Sequence, residues 1–246
     1  MNSRTCHESA ALKHSERHCS TCSLRELCLP VGLSTVELES VSDLVSRGRR
    51  LHRGEVLFRA NGAFENLYAV RFGSFKSSVL GAGGQEQITG FSMMGDLMGM
   101  DGIERNTYSS DMVALEDSEV CTFPFSAMEA LSTRIPALRR HLYRVLSREI
   151  RNDHGMMLLL GKMQADERVA TFIHTLSLRH AQRGYSGSAF HLRMTREEIG
   201  SYLGLTLETV SRMFARLQQQ GILDVQGRLV TILDMDALEN IGAACK

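Results

Sequence analysis

The 246-residue chain has no excess of charge of either sign, since 28 Lys and Arg stand against 28 Asp and Glu. That excludes a uniformly basic coat for nucleic acid but leaves local patches open. No apolar run approaches the roughly 18–20 residues needed to span a bilayer, and no membrane partner is expected. Met1 to Ser15 is polar and lacks an apolar signal core, so a cytoplasmic location is expected. Internal repeats and low-complexity tracts are missing. So are a dinucleotide-binding glycine fingerprint, a second cysteine cluster and any nucleophile–base constellation. An enzyme is therefore not expected. At 43% hydrophobic and 23% charged residues, wholesale disorder is excluded as well.

What the chain does have is strongly clustered. Of its six cysteines, Cys19, Cys22 and Cys28 fall within ten residues, while Cys6, Cys121 and Cys245 stand apart. In a reducing compartment such a group points to metal binding before disulfides, with a redox-active dithiol as the alternative.

Charge and glycine are also unevenly placed. Residues 31–133 hold eight basic and fourteen acidic side chains and twelve of the 21 glycines. Residues 134–164 reverse the sign, with seven basic against two acidic, and residues 165–246 are balanced. These shifts suggest four segments: 1–30, cysteine-rich; 31–133, a β block; 134–164, a long helix; and 165–246, a C-terminal domain. In the β block, Val56-Leu57-Phe58, Leu67-Tyr68-Ala69-Val70 and Gln87-Ile88-Thr89-Gly90-Phe91 are short runs bounded by turn residues. They predict an antiparallel roll, barrel or sandwich.

From Pro136, a residue suited to the first turn of a helix, the period becomes helical. Tyr143, Leu146, Ile150, Asp153, Met157 and Leu160 alternate spacings of three and four, the pattern of a coiled-coil seam. A second stripe of Ile135, Leu138, Leu142 and Val145 could face the β block. A single amphipathic core helix is the simpler alternative. Asp153 sets the seam apart. In a parallel pair two such carboxylates would face each other in a partly desolvated interface, giving a weak and switchable dimer. Alternatively, Asp153 turns outward to Arg148 or Arg151.

In the C-terminal block, residues 166–183 predict a helix and Gly184 to Ser188 a loop. Thr195-Arg196-Glu197-Glu198 forms a capping box opening a short helix that Gly204 ends. Thr206 then caps a second helix, Leu207 to Gln219, completing a helix-turn-helix. Ile222 to Val225 and Leu229 to Ile232 predict a hairpin wing. The N-terminal end of the second helix is the part that enters a major groove, which makes Leu207, Glu208, Ser211 and Arg212 the candidate readers of double-stranded DNA. An Arg can fork onto guanine and a Glu can accept from cytosine.

Taken together, the chain resembles the FNR branch of the CRP/FNR family of bacterial transcription regulators. The resemblance covers essentially the full length. It is carried by Cys19 to Pro30, Glu86-Gln87-Ile88-Thr89-Gly90-Phe91, the distant Cys121, Met194-Thr195-Arg196, and Gly200 through Arg212. It implies an α+β fold: a cyclic-nucleotide-binding-like β-roll, a long dimerisation helix and a C-terminal winged helix-turn-helix. It also implies a 4Fe–4S cluster on Cys19, Cys22, Cys28 and Cys121, destroyed by oxygen, with Leu24, Leu27 and Leu29 forming a thin lid over a site oxygen can reach. Cys6 and Cys245 match no family position. A homodimer on a palindrome near TTGAT-N4-ATCAA is implied, with Gly81 to Glu86, and Gly84, Gln85 and Glu86 in particular, as the surface for RNA polymerase. Relatives that hold cyclic nucleotides use an acid and an arginine in the roll. Between Gly95-Asp96 and Tyr108-Ser109-Ser110-Asp111 the nearest arginine is Arg105, so no cyclic nucleotide is expected. Four thiolates also suit zinc, and His7, His14 and His18 allow a mixed Cys/His zinc site. The remaining alternatives are a thiol-based regulator of the same fold and, from another class, an iron–sulfur electron-transfer protein.

Overall fold

The computed structural model describes Cys19, Cys22 to Cys28 and residues 33–243. Cys6, Cys245, His7, His14, His18 and Leu29 lie outside the described residues. The chain opens with a single turn, α1 (Arg25–Cys28), and then α2 (Thr35–Leu44), whose Ser34 and Glu37 form a reciprocal capping box.

Eight strands follow: β1 (Ser46–Leu51), β2 (Val56–Phe58), β3 (Asn66–Phe72), β4 (Ser74–Leu80), β5 (Glu86–Met93), β6 (Leu97–Met98), β7 (Asp111–Ala114) and β8 (Ser118–Pro124). They form two four-stranded antiparallel sheets, ordered β1-β8-β3-β6 and β2-β7-β4-β5. Leu67, Val70, Phe75 and Val120 are almost fully buried in the core of the roll. The glycine-punctuated runs, expected to make an antiparallel roll, barrel or sandwich, make the roll that the family resemblance implies.

After α3 (Phe125–Arg134) comes α4 (Pro136–Lys162), 27 residues long, with Pro136 in its first turn. Ile135, Leu138 and Val145 are buried, and the first two, with Leu142, join the core of the roll. Tyr143, Ile150, Met157 and Leu160 are left 63%, 55%, 69% and 39% exposed, an apolar stripe without cover in the single chain. Farther along, Met156 and Leu159 turn into a second core with the C-terminal domain. Two glycines, Gly155 and Gly161, sit in this half of α4 with open space where a Cβ would be.

The C-terminal domain consists of α5 (Ala165–Ala181), β9 (Ala189–His191), α6 (Arg196–Leu203), α7 (Leu207–Gln219), β10 (Leu223–Gln226), β11 (Leu229–Ile232) and α8 (Met235–Ala243). The wing has a third strand: β9 pairs with β11 directly after the Gly184–Ser188 loop. Three residues, of which only Phe190 is buried, are too short for a periodic signal in the sequence.

Polar contacts fasten this domain to the roll and to α4. Asp96 accepts hydrogen bonds from Arg179 and, at 2.6 Å, from Arg183, both on α5. The same arginines donate to the carbonyls of Phe91 (2.9 Å) and Met94 (2.6 Å). Arg168 collects the carbonyls of Leu160 (2.8 Å), Met163 (3.0 Å) and Leu203 (2.9 Å), capping the C-terminal ends of α4 and α6 together. The Arg183 side chain is only 5% exposed, so Asp96 is its essential counter-charge. Asp96→Ala is expected to destabilise the protein by about 3 kcal/mol, the low end for stripping a partner from a buried charge because Arg179 is partly solvated. Urea unfolding measures this, and unchanged stability would mean that the domains are not held by this pair.

Candidate DNA interface and cysteine site

The two short helices of the C-terminal domain are built from their caps inward. The Thr195 hydroxyl accepts from the Glu198 N–H at 3.1 Å while the Glu198 carboxylate accepts from the Thr195 N–H at 2.7 Å. At the other end of α6, Gly204 adopts the left-handed conformation (φ 63°) that closes the helix and redirects the chain into the turn. Thr206 then accepts from the Thr209 N–H at 3.2 Å and starts α7. Val210, Phe214 and Leu217 are buried on one face of α7. The Arg196 guanidinium lies 3.4 Å from the centre of the Phe214 ring, locking the start of α6 over α7.

All four candidate readers, Leu207, Glu208, Ser211 and Arg212, are exposed and lie in the first two turns of α7. The Arg212 Nη2 donates to the Thr209 hydroxyl at 3.2 Å, leaving most of its donors free for other acceptors. The Glu208 carboxyl is held below the usual carboxylate range by its own backbone N–H, then by the Thr206 hydroxyl, with Arg212 adding a smaller pull. It is therefore an acceptor at neutral pH. The hairpin joining β4 and β5 abuts α6. Ile88 donates to the Ser201 hydroxyl at 2.9 Å, Gln87 donates to the Ser201 carbonyl, and Lys76 bridges Glu86 (3.4 Å) and Glu198 (3.2 Å). Gly84 and Gln85 form the exposed tip.

The cysteines come from two places. Cys121 lies on β8 opposite Ala69 of β3, partly buried against the core of the roll. Cys19, Cys22 and Cys28 lie on the segment that packs over it. The Cys19 N–H donates to the Ser42 hydroxyl at 2.9 Å. Leu27 presses on Gly95, where a Cβ would meet the Leu27 Cβ at 2.6 Å. The Cys28 thiol is pushed up to about 12 by burial, then by the nearby Cys22, Cys19 and Cys121 thiols. The Cys19, Cys22 and Cys121 thiols thus lie within electrostatic reach of Cys28. Among the described residues no three His, Cys, Asp or Glu side chains converge closely enough to hold a single metal ion. The donor chemistry fits an iron–sulfur cluster: thiolates are its ordinary ligands, and cationic iron would offset the burial and the neighbouring thiols that raise Cys28. Cys19 is 9% exposed, and Cys22, Cys28 and Cys121 are half-buried.

Two features escaped the sequence. Asp96 is held by Arg179 and Arg183, 83 and 87 residues away. The four-residue spacing of those arginines on α5 was the available signal. Arg105 is 77% exposed and pairs with Glu104. The second feature is His141, buried on α4. Its imidazole is pushed toward the neutral form by burial, against a hydrogen bond to the Cys28 backbone, with Arg148 and Arg144 adding to the push.

A β-roll joined by a long helix to a winged helix-turn-helix defines a DNA-binding transcription regulator. Residues 48–134 match the cyclic nucleotide-binding domain and residues 167–241 the Crp-like helix-turn-helix domain. The chain belongs to the FNR branch of the CRP/FNR family, whose members are dimeric DNA-binding regulators and not enzymes. It is 48% identical over 219 residues to the transcriptional activator protein FnrA of Stutzerimonas stutzeri, covering 89% of this chain and 90% of the relative. To the fumarate and nitrate reduction regulatory protein of Shigella dysenteriae it is 45% identical over 224 residues, 91% of this chain and 90% of the relative. The structure of FixK2 from Bradyrhizobium japonicum superposes with a TM-score of 0.74 at 32% identity, over 82% of this chain and 99% of that one. Among the described residues no helix is long and apolar enough to cross a membrane.

Proposed function

We propose that this regulator senses oxygen through a 4Fe–4S cluster held by Cys19, Cys22, Cys28 and Cys121, and that it activates anaerobic genes from palindromic sites of the TTGAT-N4-ATCAA type. The observation that supports this reading is that Cys19 and Cys28 of the N-terminal segment and Cys121 of β8 pack against the same core, with Cys19, Cys22 and Cys121 all near enough to act on the Cys28 thiol. When bound, the cluster supplies an oxygen-labile tie between the N-terminal segment and the roll. Leu24 and Leu27 are half-buried beside the cysteines and limit solvent entry. Functionally the chain divides at 1–30, 31–133, 134–164 and 165–246, and acts in the cytoplasm.

The dimer seam is Tyr143, Leu146, Ile150, Asp153, Met157 and Leu160 of α4 and the same residues of a second copy. Four of the six are large, apolar and exposed in the single chain, which favours this face as the pairing surface. Two Asp153 carboxylates approach one another in the pair, so assembly depends on support from the cysteine site. Each α7 then enters a major groove. Leu207 and Ser211 shape the contact, while Glu208 and Arg212 read bases. The Gly84-Gln85-Glu86 tip, lying against α6 and so beside the bound promoter, is the contact for RNA polymerase. No cyclic nucleotide takes part, because the stretch from Gly95 to Asp111 offers no well-placed arginine: Arg105, the nearest, is exposed and pairs with Glu104.

Anaerobic isolation followed by iron and sulfide analysis tests the cluster. Replacing any of Cys19, Cys22, Cys28 or Cys121 by Ser is expected to abolish iron, whereas Cys6→Ser and Cys245→Ser retain it. Zinc at one equivalent without broad visible absorption overturns the reading.

Base readout has its own signature. Arg212→Ala is expected to lose about 1–3 kcal/mol of discrimination at one base pair, and Glu208→Ala to broaden sequence choice, with non-specific affinity little changed. Competition binding that shows wild-type discrimination for both variants would mean that α7 is not the reader.

Asp153→Ala removes the facing carboxylates. It is expected to favour the dimer by about 1–3 kcal/mol even without a cluster, so that the variant binds palindromic DNA in air. Sedimentation of aerobic samples decides; a variant as monomeric as the wild type removes Asp153 from the seam.

A further inference from the structure

His141 stands on α4 between Leu138 and Leu142, in a row that is otherwise apolar and pressed against the roll. It is 8% exposed. A leucine would fill that place with no polar atom to satisfy, so an imidazole there costs free energy unless its hydrogen bonds are used. The ring lies within hydrogen-bond reach of the Cys28 backbone, while its Nε2 has no well-aligned partner among the described residues. Cys28 is the last residue of α1.

We infer that His141 is the positioning residue that couples the cysteine site to the dimerisation helix, by donating a hydrogen bond from α4 to the backbone of Cys28. Cys19 and Cys121 are held by other parts of the sensor domain, through the Ser42 hydroxyl and the β8 ladder respectively. Through its bond to His141, a shift of Cys28 acts on the helix directly. Tyr143, the first residue of the seam, follows His141 by two positions, so a displacement of this turn alters the register of the seam at its beginning. Groups bonded to a ligand's own backbone commonly fix the geometry of a metal centre.

The inference deepens the cluster reading and rests on it, and the experiment separates the two. Full-length wild type, His141→Leu, His141→Phe and His141→Gln are isolated anaerobically and brought to equal iron and sulfide content. Dimerisation is measured by sedimentation, and the visible circular dichroism of the cluster and the thermal unfolding of each protein are recorded. Gln can donate in place of the imidazole; Leu fills the space without a donor, and Phe keeps a ring without one. The expected result is that the folded Leu or Phe variant, at equal loading, dimerises about three- to tenfold more weakly, the effect of one lost buried hydrogen bond, with an altered cluster spectrum. His141→Gln stays within about twofold of wild type and keeps its spectrum. Wild-type dimerisation in a loaded Leu or Phe variant overturns the coupling and leaves the cluster reading intact. A folded Gln variant as weak as Leu reduces His141 to a packing role and also overturns it. Wild type isolated without iron and sulfide sinks both.

Discussion

One helix, α4, must satisfy three different surfaces along 27 residues. Its first half presses Leu138 and Leu142 into the sensor core, and its last turns deliver Met156 and Leu159 to the core of the DNA-binding domain. A third face stays apolar and uncovered in the single chain. These faces cannot move independently, because a helix is rigid in rotation about its axis over a few turns. Any change of pose that the roll imposes at Leu138 therefore reappears at Ile150 and again at Leu159. The junction bonds of Arg168 carry it on, since that guanidinium holds the ends of α4 and α6 at once.

Electrostatics reinforces the same joint. The roll is acidic and α4 is basic, so the net neutrality of the chain conceals a field between neighbouring parts. At the junction this field is made specific. Asp96 faces Arg179 and Arg183, and Glu149 of α4 lies close by; its carboxyl is raised above the usual range by partial desolvation, then by the neighbouring Asp96 and Asp153 carboxylates, despite Arg179 and Arg148. A carboxylate crowded by two others is poorly stabilised in its charged form. The α4 surface between the sensor and the DNA-binding domain is thus held by balanced charges and not by packing alone.

The legible parts of this architecture were those specified locally. Thr195, Gly204 and Thr206 announce the helix-turn-helix because caps and left-handed turns act over three or four residues. The roll was legible as a class from its glycine-bounded runs, whereas its strand order was not, since pairing joins segments up to about seventy residues apart, as in β1 with β8. In the candidate site, the cysteine spacing and the outward face of α7 could be found in the sequence. The hold on Asp96 and the burial of His141 could not. Both depend on two elements meeting in space, and neither an arginine pair on a helix nor a single histidine in an apolar row declares its partner.

Gly155 and Gly161 give the long helix one further property. An interior glycine costs about 1 kcal/mol relative to alanine through the backbone freedom it surrenders, and neither of these is required by a close neighbour. The last two turns of α4 are therefore the softest stretch of an otherwise stiff rod, and they adjoin the DNA-binding domain. In bending, that stretch gives way before the rest of the rod, while rotation of the helix about its axis is still passed to the DNA-binding domain through Met156 and Leu159.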